Sequence, residues 1–195
     1  MNIVITGASA GIGRAYVKTF ARHGHTVFAT ARREHRLKDL SQEMAEKHGA
    51  VVHYLALDLT SEGAATTLFE NAVQVFGKVH MLINNAGMSP YQEFIELHNF
   101  HLSQILSLNI KALTELCHIF IPHMLTHGEP SHVVNVGSVA GYAPQAVKPS
   151  AVPVKARERR SPSGCSSGSY RIMNAKTPLT SCPGRNRKGL KALPS

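Results

Sequence analysis

Cysteine is scarce in this 195-residue chain: Cys117, Cys165 and Cys182 are only three and widely spaced. That spacing fits neither a disulfide framework nor a paired metal-ligand pattern, and a reducing, cytoplasmic setting is expected. No leader is expected either. Met1 and Asn2 run straight into Ile3-Val4-Ile5 with no basic lead and no long apolar stretch, so the start reads as a β-strand rather than a targeting signal. No segment reads as the roughly 20 apolar residues that a bilayer crossing takes, so a soluble chain without a membrane role is expected. No repeat of fixed period is visible, which gives no support to a solenoid or propeller. Histidine is abundant, at 12, yet scattered, with His23 and His25 around a glycine and His98 and His101 on a helical stretch. Abundance without ligand spacing predicts no metal site.

Acidic residues are nearly absent from one part of the chain. Up to Gln145 there are 10 Lys and Arg against 11 Asp and Glu; from Ala146 onward there are 11 against the single Glu158. The net charge of +9 therefore belongs to the last 50 residues, which also hold six prolines and little apolar periodicity. Such a composition poorly supports a packed core, and residues 146–195 are expected to form a basic, Pro- and Ser-rich, largely disordered tail. Basicity invites a nucleic-acid reading, since phosphate attraction needs only Lys and Arg. The tail, however, has no aromatic beyond Tyr170 and no recognisable nucleic-acid module, so that reading ranks last.

Before the boundary, the length suits one α/β domain. Short apolar runs rich in β-branched residues alternate with longer helical patterns, which predicts a parallel sheet with helices on both faces. Strands are expected at residues 2–6, 26–31, 51–57, 80–84 and 132–136, with helices from near Ile12, Arg33, Ser61 and Phe100. The fold class is thus α/β, a doubly wound parallel sheet of five strands in the order 3-2-1-4-5, with an incomplete C-terminal part. In the last helix Leu102, Ile105, Leu106, Leu108, Ile110, Leu113 and Leu116 make an apolar surface wide enough to need cover on more than one side.

The first strand runs into Thr6-Gly7-Ala8-Ser9-Ala10-Gly11-Ile12-Gly13, and a helical pattern follows at once. Gly7 permits a tight turn, Gly11 lets backbone approach a pyrophosphate, and Gly13 lets the helix lie close to the strand with its N-terminus toward the anion. Glycines also mark ordinary turns; strand, loop and helix in this order supply the context that a nucleotide site requires. The second strand ends in Ala29-Thr30-Ala31-Arg32-Arg33, with no acid before Glu34. A carboxylate there would suit the ribose 2′-hydroxyl of NAD, whereas a guanidinium suits a 2′-phosphate. NADP is therefore expected ahead of NAD, with Arg32 the stronger candidate and Arg33 the second. The alternative is that these arginines merely begin a solvated helix.

The three-residue spacing between the first two glycines resembles the short-chain dehydrogenase/reductase family, whose sheet is of the Rossmann type, and further matches follow in order over residues 1–145. Asp58-Leu59 stand where the family's third strand ends and a carboxylate meets the adenine amino group. Asn84-Asn85-Ala86-Gly87 match the family's segment after strand four. Asn109 sits in the long helix where the family carries its active-site Asn, and Gly137-Ser138 close strand five where it carries its catalytic Ser. Taken singly, Asp58 is an ordinary helix cap, Asn84 and Asn85 turn residues, Asn109 a polar helix position and Ser138 a loop hydroxyl. Their order on successive strand ends, where ligands bind in such sheets, favours the site. The resemblance implies a cofactor site of Gly7, Ser9, Gly11, Ile12, Gly13, Arg32, Arg33, Asp58, Leu59, Asn85, Ala86 and Gly87, and catalytic roles for Asn109 and Ser138.

The family's reaction is hydride transfer between nicotinamide and a carbonyl or alcohol carbon, with a Tyr moving the proton and a Lys four residues later lowering its pKa. An unperturbed phenol titrates near 10, too high for acid–base work at neutral pH without such a cation. Here the Tyr position, thirteen residues after Ser138, is Ala151, and four further on stands Lys155. Lys155 is in register; the Tyr is absent. Pro149 and Pro153 fall where the helix carrying that pair should run, and an interior proline costs about 3 kcal/mol. Tyr142 and Tyr170 are the remaining phenols on this side, and nothing after residue 155 resembles the family's last two strands. The change near Gln145 looks like the truncated, frame-shifted or alternatively spliced end of a family member.

Two readings of function follow. One is an NADP-dependent oxidoreductase acting on a small carbonyl or alcohol, impaired by the missing Tyr; the other is a non-catalytic nucleotide-binding protein. Without the partner helix, the apolar surface at 100–125 and the open edge of strand five predict self-association.

Overall fold

The computed structural model describes residues 1–89, 94–137 and 170–174. Strands β1 (Asn2–Thr6), β2 (Thr26–Ala31), β3 (Val52–Ala56), β4 (Met81–Asn84) and β5 (His132–Val136) alternate with helices α1 (Gly11–Arg22), α2 (Glu34–His48), α3 (Ala64–Phe76), α4 (Asn99–Leu106) and α5 (Leu113–Thr126). The five strands are parallel in the order 3-2-1-4-5, as the alternating pattern predicts.

Strand periodicity of two settles which helices cover which face. Val4, Phe28, Leu82 and Val133 share one core with Leu68 and Ala72 of α3 and Leu116 and Phe120 of α5. Their neighbours Ile3, Ile5, Val27, Ala29 and Ile83 join Val17 and Ala21 of α1 and Leu37, Leu40 and Met44 of α2 in the other. Phe120 is fully buried, so truncation to Ala costs about 3–5 kcal/mol.

A π-helical insert, Ser107–Ala112, joins α4 and α5 into one rod, Asn99–Thr126. The rod is 28 residues long and holds an 18-residue window of mean hydropathy 1.3, long and apolar enough by composition to cross a bilayer, which corrects the expectation that no segment comes near that length. Its buried positions Ile105, Asn109, Ala112, Leu116, Phe120 and Met124 form a single stripe at helical spacing, and the last four pack with the sheet core. Ile105 and Leu116 thus lie in the interior, whereas Phe100, Leu106 and Leu125 are exposed.

The open edge expected at β5 is also corrected. A sixth strand, β6 (Tyr170–Asn174), runs antiparallel along it, from Tyr170 opposite Val136 to Asn174 opposite His132. Unpaired strand-edge groups are satisfied by any extended segment that reaches them, and Tyr-Arg-Ile-Met-Asn contains the strand-favouring Tyr and Ile. Five residues of the basic tail therefore belong to the sheet. The sequence reading missed them because the surrounding Ser, Gly, Pro and basic residues mask so short a run.

Candidate functional site

A pocket opens beyond the carboxyl ends of β1 to β4. Gly7, Ser9, Ala10 and Gly11 line it from the first loop, Ala31, Arg32 and Arg33 from the end of β2, and Leu57, Asp58, Leu59 and Thr60 from the end of β3. Asn85, Ala86, Gly87 and Met88 follow β4, and Gln104 and Leu108 face in from the long rod.

The first loop is shaped by close packing. Gly7 has φ +68°, and a Cβ there would lie 2.8 Å from the Ala86 Cα; at Gly13 it would lie 2.3 Å from the Gly7 carbonyl oxygen and 2.4 Å from the Asn85 amide nitrogen. Only hydrogen fits at Gly13, so this residue sets how closely α1 approaches the sheet. Gly11, by contrast, has φ +54° and nothing within 4 Å of an added Cβ: it leaves open space at the start of α1. No side chain caps that helix and no acid stands in its first turn, so its N–H groups and the positive end of its dipole remain available to an anion.

Polar side chains brace this loop against the one after β4. Thr6, almost fully buried, accepts hydrogen bonds at Oγ1 from the Asn85 and Ala86 amides, both at 3.0 Å, and donates to the Ile83 carbonyl at 3.4 Å. The Asn85 side chain donates to the Thr6 and Gly7 carbonyls at 3.0 and 3.3 Å. Every strong donor here has an acceptor, the condition for a rigid buried polar network. Asn84 donates to Asn135 at 2.9 Å and to the Cys117 sulfur at 3.4 Å, and burial pushes the Cys117 thiol above its ordinary range.

At the end of β2 the Arg33 guanidinium donates to Ser9 Oγ from Nη2 at 3.0 Å and from Nε at 3.3 Å. A cation is thereby tied to the glycine loop, with Arg32 alongside in the pocket wall. Asp58, in the pocket wall, uses Oδ1 to accept from the Thr60 amide and hydroxyl at 2.9 and 2.8 Å, which fixes the turn after β3 and leaves the other carboxylate oxygen without a hydrogen-bond partner among the described residues.

Asn109 lies inside the π-helical insert and is buried. Its side chain accepts from the Met88 amide at 2.9 Å and donates to the Met88 carbonyl at 2.8 Å. Single π-turns inside α-helices often mark functional positions; this one delivers an Asn whose amide pins the far end of the loop after β4.

The structure thus brings Gly7, Ser9, Gly11, Arg32, Arg33, Asp58, Leu59, Asn85, Ala86 and Gly87 to one pocket. Gly13 shapes the loop from behind, and Ile12 stands exposed rather than in the pocket wall. Ser138, Tyr142, Ala151 and Lys155 lie outside the described residues. Of Tyr170 the backbone register places the residue opposite Val136, at the carboxyl end of β5. Ala10, Ala31, Leu57, Thr60, Met88, Gln104 and Leu108 are pocket residues that sequence reasoning missed. The first five adjoin residues that it named and were within reach; Gln104 and Leu108 depend on where the rod crosses. No group of three or more His, Cys, Asp or Glu that could hold a metal occurs among the described residues.

The comparisons agree with this geometry. The family model for short chain dehydrogenase matches residues 1–150. Sulfoacetaldehyde reductase 2 of Chromohalobacter salexigens is 35% identical over 146 residues, which cover 73% of this chain and 56% of the relative. A short-chain dehydrogenase from Sphingobium yanoikuyae in complex with NADPH superposes with a TM-score of 0.73 at 34% identity, covering 80% of this chain and 60% of that one. One from Burkholderia phymatum in complex with NAD gives 0.76 at 28% identity, covering 80% and 55%. This chain therefore spans a little over half the length of the relatives it matches. A glycine loop with its helix, a braced Asn-Asn-Ala-Gly segment and a family match across three-quarters of the sequence place the chain in the short-chain dehydrogenase/reductase family.

Proposed function

We propose that this chain binds NADP(H) in the pocket at the carboxyl ends of β1 to β4, as the cofactor half of an oxidoreductase for a small carbonyl or alcohol. The Arg33–Ser9 contact carries this reading: two guanidiniums and no carboxylate stand at the end of β2, one already fastened to the glycine loop. The residues fit the group. The open backbone at Gly11 and the uncapped start of α1 suit a pyrophosphate, the unpaired Asp58 oxygen and Leu59 suit the adenine, and Arg32 and Arg33 suit a 2′-phosphate. NAD is the weaker ligand. Bound here, the nicotinamide would supply or accept the hydride.

On the reaction side, Asn109 acts through Met88 to hold the loop that borders the reacting centre, and Ser138 is assigned to the substrate oxygen. Lys155 is the cation in register, but position 151 is Ala. Without the phenol, turnover is expected to fall by about 10²–10⁴-fold, the usual contribution of general acid catalysis. That absence, with Pro149 and Pro153 beside it, favours a second reading as a nucleotide-binding protein without turnover. The exposed Phe100, Leu106 and Leu125 support self-association through the helix at 100–125. The free Cys117 fits a reducing, cytoplasmic setting.

Fluorescence titration with NADPH and NADH tests the cofactor, and tighter binding of NADPH is the expected result. Equal affinities would overturn the assignment. Reduction of small ketones and aldehydes tests the second reading: a turnover near the common enzyme value of about 10 s⁻¹ would show that another proton donor serves.

A further inference from the structure

Three imidazoles gather at the opposite end of the sheet, far from the pocket in the chain's architecture and used by none of the chemistry above. His80 precedes β4, His123 lies in the last turn of α5 and His127 caps it. Their rings form a column, His80 to His127 at 5.6 Å and His127 to His123 at 5.7 Å, ending edge-on against Phe69 of α3 at 5.4 Å.

Each ring meets a backbone group whose role is fixed, and this settles the tautomers. The Asn2 amide donates to His80 Nδ1 at 3.1 Å, so the His80 proton sits on Nε2, 2.8 Å from Glu129. The Val79 amide donates to His123 Nε2 at 3.3 Å, which puts that proton on Nδ1. His127 Nε2 lies 3.0 Å from the Val79 carbonyl and must donate, leaving Nδ1 to accept from the Glu129 amide at 3.4 Å. In each ring the lone pair needed to take a proton is already committed to a main-chain N–H.

We infer that His80, His123 and His127 form a pH-sensitive clasp, which holds the end of α5 and the loop after it to the starts of β1 and β4 only while all three rings are neutral. Protonation turns an N–H against an N–H at Asn2, Val79 or Glu129 and places like charges on adjacent rings. The surrounding groups do not remove the conflict. Lys78 binds Glu129 at 2.6 Å, and the Glu129 carboxyl, held down to about 2 by Lys78 and His80, stays ionised throughout the histidine range. It would welcome a charged His80 at Nε2, but the Asn2 amide still faces Nδ1. From β5, His132 contributes its amide to the His80 carbonyl at 2.8 Å, and its own Nδ1 is buried without a partner among the described residues. From α3 comes only the Phe69 ring. Burial, then His127, holds His123 below the ordinary histidine range.

The sign follows from linkage. Unfolded histidines take protons near pH 6.5, whereas a ring in the clasp takes one only by breaking its bond to a main-chain N–H, so the clasp's contribution is present above that pH and is lost as pH falls below it. Hydrogen exchange on the full chain from pH 8 to pH 5, corrected for intrinsic rates, is the test. Protection at Asn2, Val79 and Glu129 should fall by up to roughly tenfold per pH unit for each proton taken up. His123→Gln keeps an acceptor where Nε2 stands and cannot titrate, so it should hold protection at pH 8 and make the fall shallower by one proton. Protection independent of pH, or an unchanged slope in His123→Gln, overturns the clasp. Should that variant fail to fold, ring titrations of the unaltered chain decide by NMR: three rings titrating independently at the ordinary histidine value also overturn it.

Discussion

The two ends of the sheet are built on opposite terms. At the amino end, side chains satisfy the main chain: imidazoles take the amides of Asn2, Val79 and Glu129, and Asn2 in turn donates to the Lys78 carbonyl at 2.8 Å. At the carboxyl end Thr6, Asn85 and Asn109 likewise brace the main chain behind the pocket wall, but the surface that faces the pocket is left with groups to spare. The first N–H groups of α1, an oxygen of Asp58, the Arg32 guanidinium and the Arg33 donors not taken by Ser9 stand there. A buried polar group without a partner costs about 1–3 kcal/mol, so a cluster of open valences is best placed where water or a ligand reaches it. The contrast separates the end that holds the fold from the end that binds.

Gly13→Ala should break the binding end most severely. Its Cβ would meet backbone rather than a flexible tip, and overpacking of this kind costs about 3 kcal/mol or more, read as a lowered melting temperature together with lost NADPH binding. Thr6→Val comes next. It keeps the shape but orphans the Asn85 and Ala86 amides, for a loss of about 2–3 kcal/mol by denaturant melt, and an unchanged midpoint would mean that water replaces the hydroxyl. Arg33→Ala should spare the fold and lower NADPH affinity by about tenfold, the loss of a charge-assisted contact, while NADH affinity stays the same; equal losses for both would show that Arg33 only props Ser9. Arg32→Ala should act in the same direction.

The smallest effect belongs to a cluster between the ends. Glu43 of α2 receives Arg14 and Lys18 of α1 at 2.9 and 2.7 Å and Lys47 at 3.2 Å, and the hydrogen bonds from Lys18, Lys47 and Arg14 hold its carboxyl down to about 2. A depressed carboxylate stabilises the fold above its unfolded value near 4.5, and the gain is lost as pH falls toward 2. Glu43→Gln should therefore lower the melting temperature slightly at pH 7, much less at pH 3, and less still in high salt, because the cluster is solvent-accessible. A shift of equal size at both pH values would point to packing instead of charge.

Read along the chain, the site was legible where chemistry follows local order. The glycines at 7, 11 and 13, the Arg pair after β2, Asp58-Leu59 and the Asn-Asn-Ala-Gly segment each sit at a strand end, and an alternating α/β pattern sends all parallel strand ends to one side. The periods of two and 3.6 likewise fixed the strands, helices and two-sided core. Counting thirteen residues from Ser138, the spacing that the resemblance implies, puts Ala151 at the expected Tyr position.

Only the tertiary structure decided the rest, because it depends on residues far apart in sequence meeting in space. That Asn109 reaches Met88, that Arg33 rather than Arg32 grips Ser9, and that Gln104 and Leu108 complete the pocket wall follow from how a 28-residue rod and a helix start are laid across the sheet. Five residues of an otherwise basic, proline-rich tail became a strand because β5 offered an unpaired edge. Twelve histidines looked scattered along the chain, yet the fold brings residues 80, 123 and 127 into one column. Sequence determines what each segment is able to form; the partners that satisfy its polar groups are chosen only when the layers close.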